Sequence, residues 1–184
     1  IADHLTEKFL KRERQDLIEL AQTKDTENSK ALLFIESLES TFERELTINI
    51  SGQEKVIRFK GLIDRIDRYN GELRIIDYKS GKCTEEDVTI TAVSNRTNRS
   101  PEEHLAHLFG TKKHVFQLLT YNYLYKGKYP NKPYPEKTGV ISLINVTDGP
   151  FYLENKLTPD MDSLMELYEL ALIRIITDIY DPEQ

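Results

Sequence analysis

The stretch Phe59-Lys60-Gly61-Leu62-Ile63-Asp64-Arg65-Ile66-Asp67-Arg68-Tyr69-Asn70-Gly71-Glu72-Leu73-Arg74-Ile75-Ile76-Asp77-Tyr78-Lys79-Ser80-Gly81-Lys82 decides the fold. Asn70-Gly71 separates two runs of alternating apolar and polar residues. That is the strongest short-range signal of a β-hairpin, because a two-residue type I′ turn needs positive φ at both positions. With the turn there, Tyr69 faces Glu72, and counting outward sets Asp64 opposite Asp77. Directly opposed residues share a face, with Cβ atoms about 5 Å apart. Two carboxylates so close repel unless a cation or proton lies between them. Lys79, two residues beyond Asp77, projects from the same face. The count assumes a hairpin free of bulges; a slip of one residue would send the carboxylates to opposite faces.

Asp64 and Asp77 so arranged suit Mg2+ or Mn2+, hard cations that prefer carboxylate oxygens. The alternative is two ordinary aspartates at strand ends, although strand interiors disfavour Asp. Lys79 offers a compact positive charge that suits charge building on an attacked phosphate, and it can help orient or deprotonate a water. It also suits a plain ion pair with Asp77 or Asp64. The same register sets Asp67 opposite Arg74, a cross-strand salt bridge on the other face, and Arg65 on that face opposite Ile76. Neither belongs to the site in this reading. Glu43 and Glu45, at the start of the preceding strand, are either a carboxylate near the site or edge-strand charge.

Outward from the hairpin, residues 3–22 read as a helix, 22–29 as a polar loop and 30–40 as a second helix carrying Leu32, Leu33, Ile35 and Leu38. Strands follow at about 43–50, 55–66 and 72–79, an antiparallel meander whose first turn is Ser51-Gly52. Residues 81–99 are polar and aperiodic. Ser100-Pro101-Glu102-Glu103 reads as a capping box with Pro at the first helical position. The helix it opens stops near Gly110, and a longer one spans about 111–126. Pro130 and Pro133 break it. A strand is predicted over 138–146, another near 151–154, and an apolar helix over Met161–Tyr180 with Leu164, Leu167, Tyr168, Ala171, Leu172, Ile175 and Ile179 on one face.

With 184 residues, 39% hydrophobic and 30% charged, the chain suits a single soluble domain over 1–184. No apolar run approaches the roughly 18 residues of a membrane span. The lone cysteine, Cys83, excludes an internal disulfide and is read as structural; a cytoplasmic location is the default. The chain reads as a fragment of a longer protein, opening on Ile1 and closing on Asp181-Pro182-Glu183-Gln184. The net charge of −6 argues against autonomous nucleic-acid binding. Basic groups nonetheless cluster at Lys11, Arg12 and Arg14, at Lys112, Lys113 and His114, and at Lys126, Lys128 and Lys132.

Gly-x-Ile-Asp-Arg-Ile-Asp followed by Ile-Asp-Tyr-Lys-Ser-Gly-Lys resembles the PD-(D/E)xK nuclease superfamily. It is most similar to the RecB-like and AddB-like exonuclease domains of recombination helicase–nucleases. Those have a Gln-x-x-x-Tyr helix after the Asp-x-Lys strand, here Gln117 to Tyr121 on one helix face, with His114 a turn earlier. The motifs lie within 43–147. The resemblance implies an α/β, restriction-endonuclease-like core with a mixed sheet of four to five strands flanked by helices. It implies Asp64, Asp77 and Lys79 as catalytic, and a metal held by Asp64, Asp77 and the Tyr78 backbone carbonyl. Gln117 and Tyr121 would contact the DNA backbone or support the metal shell. The activity implied is Mg2+- or Mn2+-dependent hydrolysis of DNA leaving a 5′-phosphate, in recombination or repair, beside a helicase domain or subunit. The four cysteines that hold an iron–sulfur cluster in some relatives have no counterpart here. His4 lacks the preceding Gly of a relative's upstream His ligand, so the site is expected to lack that ligand. The rival expectation is an inactive nuclease-like module that binds DNA or a helicase partner.

Overall fold

The structure, a computed structural model, describes residues 2–22, 33–94 and 98–180. Along the chain come α1 (Ala2–Gln22), β1 (Leu33–Ile50), β2 (Gln53–Tyr69), β3 (Glu72–Lys79), β4 (Thr89–Ile90), α2 (Pro101–Thr111) and α3 (Lys113–Lys128). Then follow β5 (Lys137–Ser142), β6 (Phe151–Tyr152), β7 (Glu154–Asn155) and α4 (Met161–Tyr180). Five strands form one mixed sheet in the order β1-β2-β3-β5-β6, and β4 pairs with β7 separately. This is the expected α/β architecture, a mixed sheet flanked by helices. No described helix is long and apolar enough to cross a membrane.

The hairpin is as counted. Asn70 and Gly71 take φ of 55° and 90°, and the β2–β3 register runs Tyr69–Glu72, Arg68–Leu73, Asp67–Arg74, Ile66–Ile75 and Arg65–Ile76. Beyond it β3 pairs in parallel with β5, Asp77 meeting Val140 and Lys79 meeting Ser142. Parallel neighbours need a long crossover, and α2 and α3 lie within it. Gly139 of β5 is required by close approach: a Cβ there would stand 2.6 Å from the Phe151 carbonyl oxygen and 3.1 Å from Tyr152 Cα of β6.

The helix expected over 30–40 is instead the first part of β1 from Leu33 onward; residues 30–32 and the expected loop over 23–29 lie outside the described residues. Ile35 and Leu38 are exposed at 45% and 58%, so their spacing reports no buried face. Glu39 takes φ 45°. Before it Leu33 and Ser37 are the less exposed positions; after it the even-numbered residues from Ser40 to Ile50 turn inward. Ion pairs record the same offset. Glu45–Arg58 and Glu43–Lys60 fit the count from the Ser51-Gly52 turn, whereas Glu36–Arg68 falls one position out of it. One extra residue near Glu39 shifts the alternation that follows.

Other boundaries moved less. The aperiodic 81–99 segment contains a 3-10 turn, Glu85–Val88, and β4. The strand predicted to 146 stops at Ser142, and Val146–Asp148 is a second 3-10 turn. α4 has its predicted bounds, but it buries Met165 and Ile176 and leaves Ile179 exposed. The capping box of α2 is formed, Glu103 N–H donating to Ser100 Oγ and Ser100 N–H to Glu103 Oε2.

The chain divides into two compact units, drawn from Ile1–Ser40, Leu62–Glu85 and Pro135–Tyr152, and from Thr41–Gly61, Glu86–Tyr134 and Leu153–Gln184. In the second, Leu46, Ile48 and Ile50 share a core with Leu105, Leu119 and Tyr168. In the first, α1 lies over the β3 face that carries Tyr78: Phe9 meets the Tyr78 ring edge-on at 5.3 Å. That face also holds a buried charge network. Asp67, fully buried, accepts from Arg65 Nε at 2.6 Å and from Arg74 Nε and Nη2 at 2.8 and 2.9 Å. Glu13 of α1 accepts from Arg65 Nη1 at 2.6 Å. Two guanidiniums thus meet two carboxylates. Removing one member of a buried set leaves its partner uncompensated and costs about 3–5 kcal/mol. Asp67→Ala is therefore expected to lower the unfolding free energy by about that much, measured by urea denaturation.

Candidate active site

Asp64, Asp77 and Lys79 belong to the first unit. The residue type and the turn place them. Side chains alternate along a strand, so Asp77 and Lys79 share the face opposite Tyr78, and Asp64 follows Arg65 by one position in the register. The β2–β3 ladder runs to Arg65–Ile76, and one step further the Asp64 side chain bonds to β3: the Tyr78 N–H donates to Asp64 Oδ2 at 2.8 Å. Lys79 Nζ lies 2.7 Å from Asp77 Oδ2. Asp77 is buried at 2% exposure, while Asp64 and Lys79 are half-buried. The hairpin therefore brings the two aspartates and the lysine together, as the count implied, and the lysine forms the ion pair that was the alternative reading.

Burial pushes the Asp64 carboxyl above its usual range. The Tyr78 N–H pulls it back, Asp77 pushes it further up, Lys79 lowers it, and Glu39 raises it. Glu39 is the carboxylate that strand counting missed. It stands at the bulge of β1, and bulges re-aim side chains beside functional sites. The two glutamates considered instead are edge-strand charges: Glu43 pairs with Lys60 at 3.1 Å and Glu45 with Arg58 at 3.0 Å.

On the opposite face, Arg65 Nη1 also donates to Tyr78 Oη at 2.9 Å. Burial pushes the Tyr78 phenol up, against the pull of the Arg65 guanidinium, so the hydroxyl stays protonated at neutral pH. Asp67 and Arg65 lie on this face, as the register required. Cys83 is buried, and its carbonyl accepts from Asn145 Nδ2 at 3.0 Å.

Gln117 and Tyr121 belong to the second unit. They do share one face of α3: Gln117 Nε2 donates to Tyr121 Oη at 2.6 Å. Tyr121 is buried, and with Leu124 it lies against Gly61 of β2, where a Cβ would come within 2.7 Å of Leu124 Cδ1. His114 is also buried. Phe116 is exposed and packs on Phe109 at 4.9 Å. Of the basic clusters, Lys112 is used structurally, its Nζ donating to the carbonyls of Glu86 and Thr89.

The family model of the PD-(D/E)XK nuclease superfamily matches residues 2–179. The chain belongs to the PD-(D/E)XK nuclease superfamily. No curated protein and no solved structure matches it. Members of the PD-(D/E)XK superfamily are generally nucleases and typically use divalent metals, and the mixed sheet flanked by helices is consistent with their restriction-endonuclease-like fold. The donor chemistry here fits such a cation. Asp64 and Asp77 are hard oxygen donors, and the Asp64 carboxyl is raised chiefly by burial, with a smaller push from Asp77. Among the described residues no three His, Cys, Asp or Glu side chains converge as a metal cluster, so two carboxylates would need main-chain oxygen and water to complete a shell.

The Asp64 shift has a consequence for stability. A carboxyl whose folded pKa is raised stabilises the fold only while protonated, and that contribution is lost as pH rises through the folded pKa. At pH 7 the ionised Asp64 thus opposes folding. Asp64→Asn keeps an acceptor for the Tyr78 N–H and is expected to raise Tm at pH 7 in metal-free buffer, with the gain vanishing below about pH 4. Differential scanning calorimetry across that range checks it.

Proposed function

We propose that the chain is a Mg2+- or Mn2+-dependent DNA nuclease, of the RecB-like and AddB-like exonuclease type, acting in recombination or repair with a helicase domain or subunit. The observation that carries the reading is the meeting of Asp64, Asp77 and Lys79 on one face where the β2–β3 ladder ends. The superfamily match and the Gln117–Tyr121 pair on the helix that follows support it.

Asp64, Asp77 and the Tyr78 carbonyl would hold the ion. When bound, a divalent metal supplies Lewis acidity at the scissile phosphate and acidifies water. Asp64 Oδ2 is engaged by the Tyr78 N–H, which orients the carboxylate and leaves Oδ1 as its donor. Asp77, nearly buried, is held against Lys79, and a bound cation would share its charge. The Lys79 ammonium would stabilise charge building on the phosphate oxygens in the transition state and orient the attacking water. Gln117 and Tyr121 would contact the DNA backbone, the amide–phenol bond fixing the direction of the Tyr121 hydroxyl.

The net charge of −6 favours a second reading, a nuclease-like module that holds DNA or a helicase partner without cutting. Cleavage of end-labelled single- and double-stranded DNA separates the two. The nuclease reading predicts metal-dependent release of short products from the ends, reduced about 100-fold or more in Lys79→Ala. Binding of the same DNA with no cleavage at any metal concentration would favour the module.

A further inference from the structure

The β2–β3 ladder ends where the two aspartates stand, and the strands are tied there from both faces. On one face Asp64 Oδ2 accepts the Tyr78 N–H at 2.8 Å. On the other, Arg65 Nη1 donates to Tyr78 Oη at 2.9 Å. Arg65 adjoins Asp64 in the chain, and Tyr78 stands between Asp77 and Lys79. Alternation makes the back-face pair a direct control on the front-face spacing. Both members are themselves fixed. Arg65, 4% exposed in its side chain, is held by Glu13 and Asp67 at 2.6 Å each, and the Tyr78 ring is seated on Phe9. A guanidinium is planar with donors in a rigid fork, so three engaged partners leave it one orientation. Packing alone would need only the Tyr78 ring; the hydroxyl has the separate task of meeting Arg65.

We infer that Arg65 and Tyr78 are positioning residues, whose guanidinium–phenol bond sets the separation of the Asp64 and Asp77 carboxylates for a divalent cation, with Glu13 of α1 holding Arg65 in place. The inference rests on the reading of those aspartates as metal donors. Outer partners that orient metal donors typically change metal affinity or activity 10–100-fold when removed. Tyr78→Phe removes the hydroxyl and keeps the ring on Phe9. Tyr152→Phe is the control: Tyr152 Oη accepts from Arg74 Nη1 at 3.1 Å in the same network, away from the end of the ladder.

The test titrates MnCl2 against wild type, Tyr78→Phe and Tyr152→Phe, reading Tm and DNA cleavage. Tyr78→Phe should need roughly 10-fold more Mn2+ for half-maximal stabilisation. Its kcat should recover at high Mn2+, with KM for DNA unchanged. Tyr152→Phe should lower Tm in metal-free buffer and keep the wild-type Mn2+ midpoint. Equal midpoints for all three proteins, with wild type stabilised by Mn2+, would overturn the positioning role and leave the metal reading intact. No Mn2+ stabilisation of wild type would overturn both.

Discussion

The β2–β3 register is the constraint on which the rest depends. Strand side chains alternate, so the Asn70-Gly71 turn assigns every residue of the hairpin to a face. One face receives Asp64, Asp77 and Lys79; the other receives Arg65, Asp67, Arg74 and Tyr78. A single added residue between the turn and Asp64 would send the β2 residues beyond it to the opposite faces while leaving those of β3 in place. It would put a lone carboxylate among the packed side chains under α1 and the Arg65 guanidinium where the aspartates now meet. Fold and chemistry therefore share one determinant, and the buried network around Asp67 makes any other register costly.

The two faces solve the problem of buried charge differently. Under α1, two arginines and two carboxylates meet at 2.6–2.9 Å and neutralise one another. On the opposite face the Asp64 carboxyl is pushed up by burial and by neighbouring carboxylates, with Lys79 held on Asp77. Electrostatic strain of that kind is what functional sites retain against stability. It stands directly across the sheet from the network that compensates its own charges.

Much of this was legible in the sequence because it rests on local rules. Asn-Gly specifies the turn, period-two alternation specifies the faces, Ser100 and Glu103 specify a helix start, and the apolar period of 161–180 specifies α4. What was missed depends on contacts between distant segments or on a broken period. The bulge at Glu39 shifted the phase of β1, and the exposed Ile35 and Leu38 ahead of it gave a false helical spacing. It also placed Glu39, rather than Glu43 or Glu45, where its charge reaches Asp64. Asp67–Arg74 could be counted across the hairpin. The bond from Arg65 to Glu13 could not, because α1 lies far earlier in the chain and its approach is tertiary. Gln117 and Tyr121 were legible as a helical pair by their spacing, but spacing gives no hydrogen bond between them.

We propose that Asp64 and Asp77 form a divalent-metal site. Electron paramagnetic resonance of free aqueous Mn2+ tests it without DNA, by counting the ion that the protein removes from solution. The account predicts saturable Mn2+ uptake by wild type that is lost in Asp77→Asn while the variant remains folded. Equal uptake by both proteins, or none by wild type, would contradict it.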